Sequence, residues 1–172
     1  MALDLIRLFL FPAMMVVAAV SDLFTMRISN RISLALVAGF VLLAAFGGMG
    51  LHAVSMHVAA AFVVLAVAFA CFALGWLGGG DAKLLAATAL WLGFDHLLVY
   101  LVYAAVVGGT LALAFLSFRS WPLPVALLSQ EWAQRLHNRK SGIPYGVALA
   151  IGALLIYPDT EWMNAIDFSR FV

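Results

Sequence analysis

The sequence predicts an all-α integral membrane protein with about six transmembrane helices, because a spanning helix needs ~20 mostly apolar residues. Three observations support this. Hydrophobic residues make up 66% of the 172 residues, only 10% are charged, and mean hydropathy is +1.12. A soluble domain is roughly a quarter charged, so this chain has too few polar side chains for a surface facing water. Its apolar runs also lack the alternation of a membrane barrel. We expect one polytopic membrane domain over residues 1–172.

Six apolar segments are separated by polar or glycine-containing breaks. We expect the first segment to remain a helix and not a cleaved leader, because Asp4 accompanies Arg7 ahead of it. The fourth and fifth segments together would be too long for one tilted helix, so we predict two helices joined at Asp95-His96. The segments cover approximately residues 5–20, 32–46, 58–76, 82–94, 97–118 and 143–157.

Basic residues concentrate on one side of this arrangement. Numbering the loops alternately places seven of the nine basic residues on one side, and the positive-inside rule assigns that side to the cytoplasm. We therefore predict a multi-pass membrane protein with both termini outward. The seven residues are Arg27, Arg31, Lys83, Arg119, Arg135, Arg139 and Lys140.

The loop at residues 119–142 carries its own apolar pattern. Val125, Leu128, Trp132 and Leu136 recur at helical spacing, opposite polar residues. The pattern predicts an amphipathic helix lying on the membrane surface. Such a helix serves either as a scaffold or as part of a substrate path.

Composition excludes several classes of function. A net charge of +1 with no dense basic run argues against nucleic-acid binding. The single cysteine, Cys71, can form no internal disulfide and fits a small buried hydrophobe. The histidines are scattered without metal-ligand spacing, so we expect no metal and no cofactor. The partners expected from composition are membrane lipids, and nothing in the sequence indicates the oligomeric state.

Two carboxylates stand beside membrane helices on the basic side. Asp22 directly follows the first helix and is either a solvated carboxylate or a functional group; a carboxylate is unfavourable there because a helix C-terminus prefers cations. Asp81 follows Gly78-Gly79-Gly80 and is either the N-cap of the fourth helix or a functional group. The glycines are either a flexible turn or a way to let a substrate backbone approach the carboxylate.

The predicted topology brings Asp22 and Asp81 to the same side of the membrane. If their helices pack together, the carboxylates can face each other and share one proton. That is the chemistry of aspartyl proteolysis, in which the ionised member activates water and the protonated member donates to the substrate. Which aspartate has which role is a property of the pair. A proton-coupled carrier using both as relay groups, or a non-catalytic scaffold, are the alternatives.

Other polar residues near the pair have open roles. Arg27 and Arg31 fit either orientation of the chain or steering of a substrate. Asn30 fits the cap of the second helix, and Lys83 either anchors the fourth helix or acts on a nearby carboxylate. Residues 143–146, Ile143-Pro144-Tyr145-Gly146, open the last helix, where proline suits the first turn and Tyr145 could point into the site.

These motifs together resemble the prepilin peptidases, which are membrane aspartyl proteases. Gly78-Gly79-Gly80-Asp81-Ala82-Lys83 resembles their GxGD motif, and Asp22 with Arg27-Ile28-Ser29-Asn30 resembles their first motif. Ser29 stands where the family usually has proline, which affects only the shape of the loop. Residues 143–148 resemble the opening of the family's last helix, so the resemblance extends across the chain.

The resemblance implies that the enzyme removes the basic leader of type IV prepilins or pseudopilins at the cytoplasmic face of the bacterial inner membrane. Larger members carry an extra domain with cysteine pairs and methylate the new terminus. This chain is similar to the short members of tight-adherence (Flp) pilus systems, so the resemblance implies cleavage without methylation. A basic leader needs acidic attraction, which on this positively charged side only the two carboxylates supply.

Overall fold

The computed structural model describes residues 2–166 as helices and connecting turns, with no strand among them. The predicted all-α class is therefore confirmed. Two 3₁₀ turns, at Val125–Leu127 and Tyr157–Asp159, complete the helical elements. The α-helices are α1 (Ala2–Thr25), α2 (Asn30–Phe46), α3 (Leu51–Ala73), α4 (Gly79–Phe118), α5 (Glu131–His137), α6 (Tyr145–Ile156) and α7 (Glu161–Asn164).

Three helices of the described chain, α1, α3 and α4, are long and apolar enough to cross a membrane. Two shorter apolar stretches, Asn30–Phe46 and Tyr145–Asp159, accompany them. Large apolar side chains cover the outside of the bundle, and Leu98, for example, is 72% exposed. An apolar exterior of this kind suits a bilayer and not water. Six crossings and a single domain over residues 1–172 remain predictions.

Helix α4 is broken at Gly93, whose backbone has φ 62° and ψ −174°. The prediction of two separate helices is confirmed, although the break comes at Gly93 and not at Asp95-His96. A straight helix of 40 residues would be ~60 Å long. Asp81 and Arg119, near its two ends, nevertheless line one cavity. The part at residues 94–118 therefore turns back along the part at residues 79–92.

Two side chains from elsewhere satisfy the carbonyl groups that the break at Gly93 leaves without helical donors. His57 of α3 lies with Nδ1 2.8 Å from the Leu90 carbonyl oxygen. Because a carbonyl only accepts, Nδ1 carries the proton. Trp162 of α7 donates its indole N–H to the Trp91 carbonyl at 2.7 Å. The bend is thus a built feature, since unpaired carbonyls inside a bundle are costly.

An aromatic cluster packs below the bend, at the end of the bundle away from the two aspartates. Trp91 is fully buried and donates its indole N–H to the Leu36 carbonyl at 2.9 Å. Phe11 of α1 stacks on Tyr157 with ring centroids 4.5 Å apart. The cluster joins α1, α2, α4 and the end of α6 into one core, leaving the opposite end free for polar groups.

Two predicted boundaries are wrong. Helix α3 begins at Leu51, seven residues before the predicted residue 58, because the polar residues of its first turns were assigned to a loop. The predicted amphipathic helix shrinks to α5, Glu131–His137, with Leu136 buried, while Val125 lies in a 3₁₀ turn and is 84% exposed. The chain leaves the helical conformation at residues 128–130, between the 3₁₀ turn and α5. Placement of α5 on a membrane surface remains a prediction.

We predict that Gly93→Ala destabilises the protein. The substitution forces an L residue into a left-handed conformation and places a Cβ 3.1 Å from the His57 ring, at a cost of about 1–3 kcal/mol. The control is Gly109→Ala in the same element, where an added Cβ meets nothing within 4 Å. Thermal unfolding in detergent should give a lower Tm for Gly93→Ala and an unchanged or raised Tm for Gly109→Ala. Equal Tm values for the two variants would contradict the assigned bend.

Candidate active site

The fold brings Asp22 and Asp81 to the same end of the bundle. Asp22 lies in the last turn of α1 and is buried, while Asp81 lies in the first turn of α4 and is partly exposed. Ile28 lies between them, since it packs against Gly80, next to Asp81, and against Gly146, the partner of Asp22. Helices α1 and α4 share few contacts of their own, so direct packing of these two helix ends remains a prediction.

The Asp22 carboxylate binds the start of another helix. Its Oδ2 accepts a hydrogen bond of 2.7 Å from the backbone N–H of Gly146, the second residue of α6. The first four N–H groups of a helix have no partner within it, and their positive partial charge favours an anion. Asp22, unfavourable at the end of its own helix, is thereby stabilised by the beginning of α6.

Asp81 is the third residue of α4 and lies one turn after the N-cap, Gly78. The interpretation of Asp81 as the N-cap itself is wrong. Its carboxylate forms a hydrogen bond with the backbone of Gly78, as the acidic half of a capping box does. The same side chain lines a cavity of about 900 Å³. Asp81 thus combines a structural contact with access to open space.

The three glycines before Asp81 allow close packing. A Cβ on Gly78 would lie 2.8 Å from Oδ2 of Asp81, and one on Gly80 would lie 3.2 Å from Cβ of Ile28. A Cβ on Gly79 would come within 3.3 Å of the Phe72 ring. None of the three has a positive φ, so the flexible-turn interpretation finds no support in their backbone. Approach of a substrate backbone past these glycines remains a prediction.

Ile28 links the two carboxylate-bearing segments, and sequence reasoning missed it. Helix α1 ends at Met26, which adopts φ 54°, and Ser21 donates its hydroxyl to the Arg27 carbonyl at 2.8 Å. The turn directs Ile28 between Gly80 and Gly146, where a Cβ on Gly146 would lie 2.6 Å from its Cδ1. The sequence feature that could have indicated this role is the presence of one isoleucine within a polar loop.

Polar residues after α1 contact the start of α4. Lys83 donates from Nζ to Oδ1 of Asn30 at 3.0 Å, which ties the first turns of α2 and α4 together. The prediction that Asn30 caps α2 is wrong, because Ser29 is the N-cap and its hydroxyl accepts from the Arg31 N–H. The Arg27 side chain is exposed, and its role stays open.

The start of α6 forms another side of the site, beside the end of α1 and the start of α4. Pro144 occupies the N-cap position and not the first helical turn, which corrects its predicted place. Tyr145 lines the Asp81 cavity, and its hydroxyl lies 3.5 Å from the Ala104 carbonyl, a long contact. Its ring leaves no room for a Cβ on Gly108.

Arg119 is the cavity residue that the sequence assigned only to chain orientation. It is buried, donates from Nε to the Leu136 carbonyl at 2.7 Å, and donates from Nη2 to the Gly142 carbonyl at 2.8 Å. Of the described residues that line the cavity, Asp81 and Arg119 are the charged ones. Arg119 therefore holds the loop of residues 120–142 beside the carboxylate and fixes the approach to Gly146.

Apolar side chains line much of the cavity, including Leu85, Leu101 and Leu149. Polar side chains, including Asp81 and Ser141, line the same cavity, so it suits an apolar chain that also carries a polar group. Within residues 2–166, no group of three or more His, Cys, Asp or Glu side chains is placed to hold a metal ion.

An apolar helical bundle that gathers two carboxylates from distant helices at one end defines a membrane protein with a paired-carboxylate site. Residues 9–113, which include both aspartates, match the model of the type IV leader peptidase family. The match covers more than half of the chain, so the protein belongs to that family, and membership implies a peptidase that acts on a prepilin. No curated protein and no solved structure gives a significant match.

We predict that Arg119→Met loosens the loop of residues 120–142. Hydrogen bonds from a charged donor contribute about 1.5–3 kcal/mol each, so loss of both should raise local opening at least tenfold. Limited trypsin digestion in detergent measures this as faster cleavage at Arg135 and Lys140. Arg139→Met, which removes one exposed trypsin site, is the matched control. Equal digestion rates for the two variants would show that Arg119 does not hold the loop.

Proposed function

We propose that this protein is an aspartic-type endopeptidase that removes the leader of type IV prepilins or pseudopilins, with Asp22 and Asp81 as its catalytic pair. The observation that carries the proposal is that both carboxylates lie around Ile28 at one end of an apolar bundle, with an open cavity beside Asp81. Family membership supports the peptidase activity, since both residues lie inside the matched region.

The proposed reaction is hydrolysis of one peptide bond by water. The ionised carboxylate removes a proton from water, whose oxygen attacks the scissile carbonyl carbon. The protonated carboxylate donates to the carbonyl oxygen, and the pair then delivers a proton to the leaving nitrogen as the C–N bond breaks. The N–H of Gly146 holds Asp22 in a fixed orientation, so little reorganisation is needed during the reaction.

The leader would approach from the end of the bundle that carries the pair. Lys83, Arg119 and Arg135 belong to that end, whereas Arg7 lies at the opposite end, hydrogen-bonded to the Ala165 carbonyl. The positive-inside rule supports a multi-pass protein of the inner membrane with the pair facing the cytoplasm. Flp-type prepilins are the proposed substrates because the chain resembles the short family members.

The lining of the cavity matches the polarity of the proposed substrate. The leader is polar and basic, and the prepilin segment after the cleavage site is a hydrophobic helix. The apolar wall of Leu85, Leu101 and Leu149 would contact that hydrophobic segment, while Asp81 stands at the polar mouth. The remaining supporting residues, Tyr145 and Pro144, would shape this mouth from α6. A proton-coupled carrier is not favoured, because the family is one of peptidases.

We predict that Asp22→Asn and Asp81→Asn each reduce cleavage at least ~100-fold, because a general acid or base contributes that much or more. The assay uses purified protein in liposomes with a prepilin from the same genome, and the product is read by mass spectrometry. Asp95→Asn, which changes an exposed carboxylate elsewhere on α4, is the matched control and should cut normally. Full cleavage by either aspartate variant with an intact fold would rule out the paired mechanism.

We predict that Gly146→Ala reduces cleavage at least tenfold by displacing Asp22. An added Cβ would lie 2.8 Å from Oδ2 of Asp22 and would crowd Ile28. Gly142→Ala, where the new Cβ would meet only the Met26 methyl group at 3.8 Å, should retain activity. The readout is kcat in the same liposome assay, with Tm measured in parallel. Equal kcat values for the two variants would show that the placement of Asp22 by α6 is not needed.

A further inference from the structure

A second cavity lies on the other side of α4 from the Asp81 cavity. It is a groove of about 960 Å³ with α2 and α3 as its walls and α4 as its floor. Helices α2 and α3 are consecutive, yet each packs mainly on other helices, and scarcely any contact joins them. The groove is lined almost throughout by aliphatic side chains, such as Val37 and Val41 of α2, Ala61 and Leu65 of α3, and Ala87 of α4.

Inside a membrane, as proposed above, such a groove needs an apolar occupant. The groove opens to the outside of the bundle, since Leu34 and Val41 of its lining are 66% and 56% exposed. Water is an unsuitable occupant, because an ordered water needs about two to four polar partners and these walls provide almost none. Something with hydrocarbon character therefore completes the packing of α2 against α3.

The groove carries one charge, at the end nearer the active site. Of the described residues that line it, Lys83 alone is charged. Its side chain is exposed, and its Nζ is held by Oδ1 of Asn30 at 3.0 Å. Ser33 is the other polar side chain at this end. The groove is thus apolar along its length and cationic at one end, which is the complement of an anionic amphiphile.

We propose that this groove binds an anionic phospholipid, with an acyl chain between α2 and α3 and the phosphate at Lys83. Charge argues against the prepilin leader as the occupant, because Lys83 would repel a basic segment and no carboxylate is among the described residues that line the groove. The Asp81 side chain also lines the other cavity and does not line this groove.

The test is lipid retention by the whole purified protein, measured by native mass spectrometry. Delipidated protein in detergent is titrated with phosphatidylglycerol and with phosphatidylcholine of identical acyl chains. Ala61→Phe fills the groove from α3 and should lower phosphatidylglycerol binding at least tenfold. Ala105→Phe, which adds the same ring to an exposed position of α4 outside the groove, should leave it unchanged. Lys83→Gln should remove the preference for phosphatidylglycerol.

If Ala61→Phe does not fold, a second pair of variants tests the same site. Val41→Phe narrows the groove from α2, and Val106→Phe is its exposed control on α4. Equal lipid binding by a groove variant and its control would overturn the site, and an unchanged lipid preference in Lys83→Gln would overturn the placement of the phosphate. Displacement of the lipid by added prepilin would assign the groove to the substrate helix. Loss of peptidase activity does not enter this test, so the proposed function can fail independently.

Discussion

The hydrogen bond from the Gly146 N–H to Asp22 is the contact on which the site depends. A carboxylate is costly to bury in an apolar bundle unless donors surround it. Here the donors are backbone groups at the starts of two helices, α6 for Asp22 and α4 for Asp81. Because helix starts carry positive partial charge, the starts of these two helices together stabilise the two acids.

This arrangement explains the small residues around the pair. Ile28 occupies the space between Gly80 and Gly146, so a Cβ on Gly146 would clash and one on Gly80 would require Ile28 to shift by a few tenths of an ångström. The pair of glycines and the isoleucine form one packing unit, contributed by three distant segments. The sequence next to each aspartate therefore does not reveal that Ile28, Gly80 and Gly146 depend on one another for their packing.

The sequence was sufficient for the all-α class, the split of the long apolar run of residues 82–118, and the position of Asp22 and Asp81 at the same end of the bundle. These follow from hydropathy and from alternating loops, which are properties of single segments. The sequence did not predict Ile28 or the function of Arg119, because both act through contacts with residues far along the chain. It also misplaced the cap of α2 and the bend, because Ser29 and Gly93 are selected by local backbone geometry.

The bend at Gly93 ties the order of synthesis to the order of folding. Its two carbonyl groups are satisfied by His57, which is made before the bend, and by Trp162, which is made well after it. When the ribosome has made the chain through the end of α4, the Leu90 carbonyl already has His57 as its donor. The Trp91 carbonyl lacks its donor until Trp162 of α7 has been made. Helix α7 therefore completes the bundle, and a fusion that displaces α7 would disturb a bend about 70 residues earlier in the chain.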